Sequence, residues 1–433
     1  MSANSATAAP RGWYYGWNIV AACILSQTVA NGLTYNAFSL FLRDWSTQLN
    51  TPISRLTLGV AGMALVAALS APVVGVLADK YPARRLFVGG LLGMATFYVA
   101  ISAVTATWQF LALYAVLAPL SLVFSTAVPA NALITRWFVR RRGLALGLSA
   151  FGIGLAGAVL PPLLAALLPT VGWRIIWRGG GVLIAAVVVP IMLLVIRNQP
   201  TERDGLHYLS GADNESLAPH GHASGAGQLS WRAVLARKNF WLLVAIFLPM
   251  MALNGASGQN IAPYAASHGL SEQSAGVLLS VLSVSHLVAT LVLGLLSDRF
   301  GNSLSFAVLA GAMTVGAAFL AFGTGIAAIA VGCAFVGLGG GVFTLLAAAI
   351  AVEFGAAGMG RAFGCCMFFI PLASLAPFAL AKTQESTGSY APALLGMGIL
   401  VVIAGLLSLT LRERRATQAN GVDWHPAASE GLP

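Results

Sequence analysis

Charged side chains are scarce in this sequence of 433 residues. Asp, Glu, Lys and Arg together make up only 8% of the chain, while hydrophobic residues make up 58% and the mean hydropathy is +0.84. A soluble domain carries roughly 25% charged residues. The composition therefore excludes an ordinary soluble protein and predicts a membrane protein.

Other features are also missing. The four cysteines, Cys23, Cys333, Cys365 and Cys366, show no metal-ligand spacing to histidine or to one another, so we interpret them as small packing residues. No nucleotide-binding G-x4-G-K-[ST] stretch is present, which argues against direct ATP drive. The first residues lack the pattern of a cleaved signal peptide. We expect no cofactor, no metal site and no enzymatic activity.

The apolar residues gather into blocks of roughly 19 to 27, long enough for a helix to cross a bilayer. A transmembrane barrel would instead show short alternating segments. The sequence therefore predicts an all-α membrane protein with twelve transmembrane helices. The predicted spans are 17–42, 56–78, 86–105, 109–135, 143–168, 175–197, 240–264, 273–296, 304–322, 326–352, 362–381 and 391–411.

The basic residues indicate how these spans are oriented. Eighteen of the 23 Lys and Arg residues lie in the tails and in the connections on one side of the predicted membrane. Basic residues accumulate on the cytoplasmic side, so we expect both termini in the cytoplasm of a bacterial inner membrane. The net charge of +10 then reflects orientation toward anionic lipid and requires no nucleic-acid partner.

A polar stretch rich in Gly and Ser divides the spans six to six. His220 and His222 within it could suggest a metal site, but a solvated linker is the simpler interpretation. The predicted organisation is two pseudo-symmetric six-helix bundles joined by a cytoplasmic linker. Its segments are an N-terminal tail (1–16), a first bundle (17–197), the linker (198–239), a second bundle (240–411) and a C-terminal tail (412–433).

The halves share a short motif. GVLADKYPARR follows the second span and GLLSDRFGNS follows the eighth, so each half has a glycine one turn before an aspartate and a base. Such duplication is typical of secondary transporters. With the six-plus-six layout, these loops resemble the major facilitator superfamily. Segments such as WYYGWNIV (13–20), GWR (172–174) and NFW (239–241) are most similar to its monocarboxylate transporter and oxalate/formate antiporter group.

The resemblance implies a cytoplasmic latch between the halves. Asp79 would meet the start of the eleventh span at Gly360 and Arg361, and Asp298 would meet the start of the fifth. Free N–H groups and an arginine at a helix start favour an anion. An ordinary solvated loop charge is the alternative. The latch candidates are Asp79, Arg84, Arg142, Asp298, Arg299 and Arg361.

All thirteen acidic residues lie in loops, tails or span ends, so neutral polar groups and one histidine are what remains at mid-depth. Gln27, Asn31 and Tyr35 follow one another at one-turn spacing and are predicted to share a face. The family resemblance directs the first, fourth and seventh spans toward a central cavity, although hydrogen bonding between helices is an equal alternative. The substrate-binding candidates are Gln27, Asn31, Tyr35, Asn131, Asn254, Gln259, Asn260, His286 and Thr290.

His286 and Thr290 lie one turn apart in the eighth span. In the monocarboxylate group these positions usually hold an aspartate and an arginine, so the family's charge pair is missing here. We hypothesise that His286 binds both the proton and the anion, with a purely structural histidine as the alternative.

The predicted function is secondary transport of a small organic anion by alternating access, with proton coupling through His286. An exporter of apolar or drug-like compounds and a non-transporting membrane sensor are the alternatives. The expected partners are the substrate, the bilayer and a proton, and we expect a monomer.

Overall fold

The computed structural model describes residues 14–138, 142–199 and 231–411. Most of the two predicted tails and of the predicted linker lies outside these ranges. Within them the regular structure is helical and contains no strand. This agrees with the long apolar blocks, because a helix satisfies its own backbone hydrogen bonds within hydrocarbon.

The first half begins with a broken span. A π-helical turn, Gly32–Asn36, separates the first two helices, and π-helical turns also interrupt the fourth and sixth spans at Leu113–Leu117 and Ile184–Val188. The helices of this half are α1 (Gly16–Asn31), α2 (Phe38–Gln48), α3 (Ile53–Lys80), α4 (Ala83–Ser102), α5 (Thr107–Ala112), α6 (Ala118–Ser125), α7 (Ala127–Trp137), α8 (Arg142–Leu183) and α9 (Val189–Val195).

The second half follows residue 231. A 3-10 turn, Leu338–Gly341, joins two of its helices at the GLGGG segment. Its helices are α10 (Trp231–Leu235), α11 (Lys238–Ser267), α12 (Glu272–Phe300), α13 (Asn302–Phe322), α14 (Gly325–Gly337), α15 (Val342–Met367), α16 (Ile370–Ala373), α17 (Ala376–Thr387) and α18 (Ala391–Ser408).

Ten helical stretches of the described residues are long and apolar enough to cross a membrane, against the twelve predicted spans. The first predicted span is divided between α1 and α2, and neither piece is long enough alone. The fifth and sixth share one stretch, Leu144–Val195, which Gly172 interrupts with a left-handed φ of 75°. Residues 353–361, which were predicted to connect the tenth and eleventh spans, are helical and belong to α15. The differences therefore concern boundaries and leave the helical class intact.

Candidate functional site

The two halves meet where α8 crosses α12. A Cβ at Gly157 of α8 would lie 2.8 Å from Ser283 Cβ and 3.0 Å from Asn36 Oδ1, so glycine is what permits this approach. One turn further along, Ser280 Oγ donates a hydrogen bond to Ala158 O at 2.7 Å. Small residues with interhelical hydrogen bonds are the usual basis of close helix packing in membranes. The crossing is therefore a tight contact between the halves.

Beyond this crossing the two helices separate in the direction of the linker. Leu287 of α12 still packs on Gly154 of α8, since a Cβ at Gly154 would lie 3.0 Å from Leu287 Cδ1. Thr290 and Phe151 lie one turn further on the same two faces, and both are exposed. Because both side chains are exposed although they lie on facing sides of the two helices, we infer that a gap separates the halves on the linker side.

His286 lies at the edge of this gap, on the turn between Ser283 and Thr290. Its imidazole is half-buried and rests directly on Gly340 of the 3-10 turn, where a Cβ would coincide with the ring. The ring packs on Gly340 through Cγ, Nδ1 and Cδ2, and no described residue uses either nitrogen in a hydrogen bond.

The side chain of Thr290 makes one hydrogen bond to the described residues. Its Oγ1 donates to His286 O at 2.9 Å, within its own helix. The hydroxyl keeps its acceptor capacity and would have to leave this bond to donate to a ligand.

The expected shared face of Gln27, Asn31 and Tyr35 is altered by the π-helical turn Gly32–Asn36. Gln27 is only 2% exposed and donates to Ser149 O and Oγ of α8 at 2.8 and 2.9 Å. Asn31 is buried and donates to Gln27 O, whereas Tyr35 is 37% exposed. A π-turn adds a residue to the helical repeat and rotates the residues after it about the helix axis. Gln27 is thus hydrogen-bonded between helices, which is the alternative to a position on the cavity wall.

The other amide candidates occupy different environments. Asn131 is exposed, and Asn254 donates to Val336 O at 3.0 Å. Gln259 is buried and donates to Tyr35 O of the other half at 3.3 Å, while its Oε1 has no hydrogen-bond partner in the described part of the chain. Asn260 donates to Ala256 O and Pro377 O within its own half. The structure brings Gln259 and Tyr35 together, but it does not join all the candidates in one cluster.

Three residues around His286 were not among the candidates. Gly340 seats the ring, and Asn36 and Ser283 line the crossing next to it. Three consecutive glycines at 339–341 are a sequence signal for a close approach, but the sequence alone does not say which side chain approaches. Their roles depend on contacts between distant segments.

The cytoplasmic latch stays a prediction. The side chains of Asp79, Asp298 and Arg142 lie outside the described residues. Arg361 is exposed, Arg299 Cζ lies 5.3 Å from the ring centre of Phe300, and Arg84 lines a cavity on the outer surface of the first half.

At the end away from the linker, a carboxylate joins the two halves. Ser54, at the start of α3, donates its backbone N–H to Glu385 Oε1 at 2.9 Å and its hydroxyl to Oε2 at 2.7 Å. Glu385 belongs to α17, so these bonds connect the two halves, and Lys382 Nζ approaches the same carboxylate at 3.8 Å. A carboxylate at a helix N-terminus is favoured by the free N–H groups and the helix dipole. Ser54 and Glu385 therefore close the face away from the linker.

A second pair of carboxylates on this face opposes its closure. Burial raises the pKa of Asp44 above its usual range, and the negative charge of Glu272 in the other half raises it further. The pair is repulsive across the interface when both groups are ionised.

We expect Glu385→Gln to open this face. The amide replaces a charge-assisted acceptor with a neutral group, and such bonds contribute about 1.5–3 kcal/mol. Spin labels on Thr47→Cys and Gln273→Cys, two exposed positions in different halves, report their separation once the native cysteines are replaced. The open population should rise on the order of tenfold.

Glu272→Gln is the matched control for this measurement, because it removes a carboxylate from the same face but relieves repulsion with Asp44. It should leave the short distance unchanged or more populated. Equal opening by both variants would show that Glu385 has no specific part in closing this face.

The chain is similar to known proteins over most of its length. The family model described as Major Facilitator Superfamily matches residues 24–376 and 259–426. Monocarboxylate transporter 12 of Homo sapiens is 27% identical over 303 residues, which are 66% of this chain and 58% of that protein. The chain thus spans less than two thirds of this relative. MFS-type transporter pytF of Aspergillus terreus is 26% identical over 301 residues, 68% of this chain and 93% of that protein.

Solved structures share the fold at low sequence identity. A crystal structure of the nucleoside transporter NupG has a TM-score of 0.70 at 12% identity, covering 91% of this chain and 99% of that one. A bacterial homolog of the human lysosomal transporter Spinster, in an inward-facing and occupied conformation, has a TM-score of 0.69 at 16% identity, covering 92% and 97%.

Proposed function

The chain belongs to the Major Facilitator Superfamily, and we propose that this transporter moves a small organic anion of the monocarboxylate class across the bacterial inner membrane by alternating access. A proton bound by His286 accompanies the anion. The observation that carries this proposal is the position of His286, at the edge of the gap between the halves with both ring nitrogens unpartnered among the described residues.

The chemistry follows from the residues at mid-depth. No Lys, Arg, Asp or Glu occurs in the middle of α12 between Glu272 and Asp298, so His286 is the group on this helix that can become positive there. A protonated imidazole attracts a carboxylate strongly where water is scarce, and a neutral one releases it. Anion and proton therefore bind together and leave together.

The fold supplies the conformational change. The tight α8 and α12 crossing at Gly157 and Ser283 serves as the pivot, and the bonds from Ser54 to Glu385 close the face away from the linker. In this state the substrate would enter or leave on the linker side. Breaking the bonds to Glu385 and closing the gap near Thr290 would expose the same site to the opposite face, as alternating access requires.

Uptake into proteoliposomes tests the substrate class. Labelled monocarboxylates, each paired with its neutral amide, would be compared with and without an acidic exterior. We expect the carboxylate to be taken up, acid to stimulate its uptake, and the amide to be excluded. Protein-free liposomes correct for undissociated acid that crosses the bilayer unaided.

Other outcomes would contradict the proposal. Uptake of the amide at the same rate would indicate a neutral or zwitterionic substrate. Transport of apolar dyes without any carboxylate uptake would favour the exporter. Failure of every compound to cross would favour the non-transporting sensor.

A further inference from the structure

A cavity lies on the first half at its linker-side end and is lined by none of the substrate-binding candidates. Its volume is ≈ 540 Å³, and it lies between the start of α4 and the end of α9. Arg84, Arg85 and Asn198 form its polar end, and Val88, Leu92 and Leu193 extend its apolar wall. The cavity therefore has one basic and one hydrocarbon end.

The cavity is on the outer surface of its half. The opposite face of α4 is buried through Phe87, Leu91 and Met94 against α6, α8 and α9. Leu92 and Leu193 are instead 46% and 39% exposed. In a protein that spans a membrane, such side chains at this depth contact lipid, so the cavity opens toward the bilayer.

The basic end has no acidic partner among the described residues. Both guanidinium groups are exposed and neither forms an ion pair there. Asn198 Oδ1 accepts the backbone N–H of Arg84 at 3.1 Å, which fixes the segment after α9 against the first turn of α4. Two arginines that converge on one cavity without a counterion favour an anionic ligand.

The length of the cavity favours a lipid over a small anion. Arg85 and Leu92 are seven residues apart in one helix, a distance of about 10 Å along its axis. This length matches the distance from a headgroup phosphate to the upper part of an acyl chain. A free inorganic anion would make no use of the apolar wall.

We propose that this cavity binds one anionic phospholipid of the linker-side leaflet. The phosphate lies between Arg84 and Arg85, and an acyl chain follows Val88, Leu92 and Leu193. Basic pockets between transmembrane helices bind acidic headgroups in this manner. The lipid would hold the start of α4, next to the end of α3 that carries Asp79, at the membrane surface. This proposal is independent of the transported substrate.

Native mass spectrometry of the full-length protein tests the proposal. Dioleoyl phosphatidylglycerol and dioleoyl phosphatidylcholine, which differ only in their headgroups, would be added to delipidated protein. We expect one phosphatidylglycerol to be retained in preference to phosphatidylcholine. Arg84→Gln with Arg85→Gln should weaken retention roughly 30-fold, since each base near a membrane surface contributes about 1 kcal/mol.

Two further variants distinguish lipid binding in the cavity from a general effect of positive charge. Arg412→Gln with Arg414→Gln removes two bases from the C-terminal tail and should leave retention unchanged. Gly89→Phe fills the cavity and keeps both arginines, because a Cβ at Gly89 meets nothing within 4 Å. It should also reduce retention.

Three results would overturn the proposal. They are equal retention of the two lipids, full retention by the Arg84→Gln, Arg85→Gln variant, and displacement of the lipid by millimolar inorganic phosphate. The last would indicate a site for a free anion.

Discussion

His286→Gln is expected to abolish the stimulation of uptake by acid. The proposed mechanism requires a positive His286 ring to hold a carboxylate, so uptake at pH values well above the titration range of His286 should fall up to about tenfold per pH unit. Glutamine keeps a hydrogen-bonding group of similar size and cannot gain a charge in this range. Uptake measured from pH 5 to 8 should then be low and flat.

The fold should survive this change, because the ring makes no hydrogen bond to the described residues and is held by packing on Gly340. Size-exclusion chromatography would check the folded fraction. His268→Gln is the matched control: its ring lies at the end of α11, exposed, with Nδ1 2.9 Å from Tyr264 O. That variant should keep the wild-type pH profile. An unchanged profile in His286→Gln would disprove the role of this histidine in proton coupling.

Gly340→Ala is expected to reduce transport at least tenfold. The added methyl would occupy the space of the His286 ring, so either the ring or the 3-10 turn must move. Overpacking of this kind costs typically 1–3 kcal/mol. Uptake and thermal unfolding of the same preparation would separate displacement of the ring from loss of the fold.

The neighbouring glycine provides the control. A methyl at Gly339 would meet the flexible end of Met313, at 2.5 Å from Cε, and should be accommodated at lower cost. Combining Gly340→Ala with His286→Ala should restore thermal stability without restoring the pH response, because the clash is removed along with the titratable group. If Gly340→Ala alone transports normally, the position of the ring over Gly340 has no functional importance.

The sequence predicted the helical class well because long apolar blocks admit few solutions in a bilayer. Boundaries were less predictable. Hydropathy carries no signal for the π-helical turn Gly32–Asn36 or for the helical backbone through 353–361.

The site was predictable in part. His286 could be singled out because an ionisable residue within a span is costly and therefore informative. Its seat on Gly340 and the crossing at Gly157 could not, since each pairs residues more than 50 positions apart. Gln27 shows the converse limit: its spacing suggested a cavity face, but its amide bonds Ser149 of α8. A polar residue in a span does not itself indicate whether its partner is a helix or a substrate.

Proton movement during uptake tests the central claim most directly. Proteoliposomes containing a pH-sensitive dye and no initial pH gradient would receive a monocarboxylate, and internal pH would be recorded beside uptake of the labelled compound. Protein-free liposomes and His286→Gln vesicles would be measured in parallel. Wild-type vesicles should acidify internally in step with uptake, by about one proton per anion above protein-free liposomes, whereas His286→Gln vesicles should show no such excess. Anion uptake with no acidification above that of protein-free liposomes would contradict the central claim.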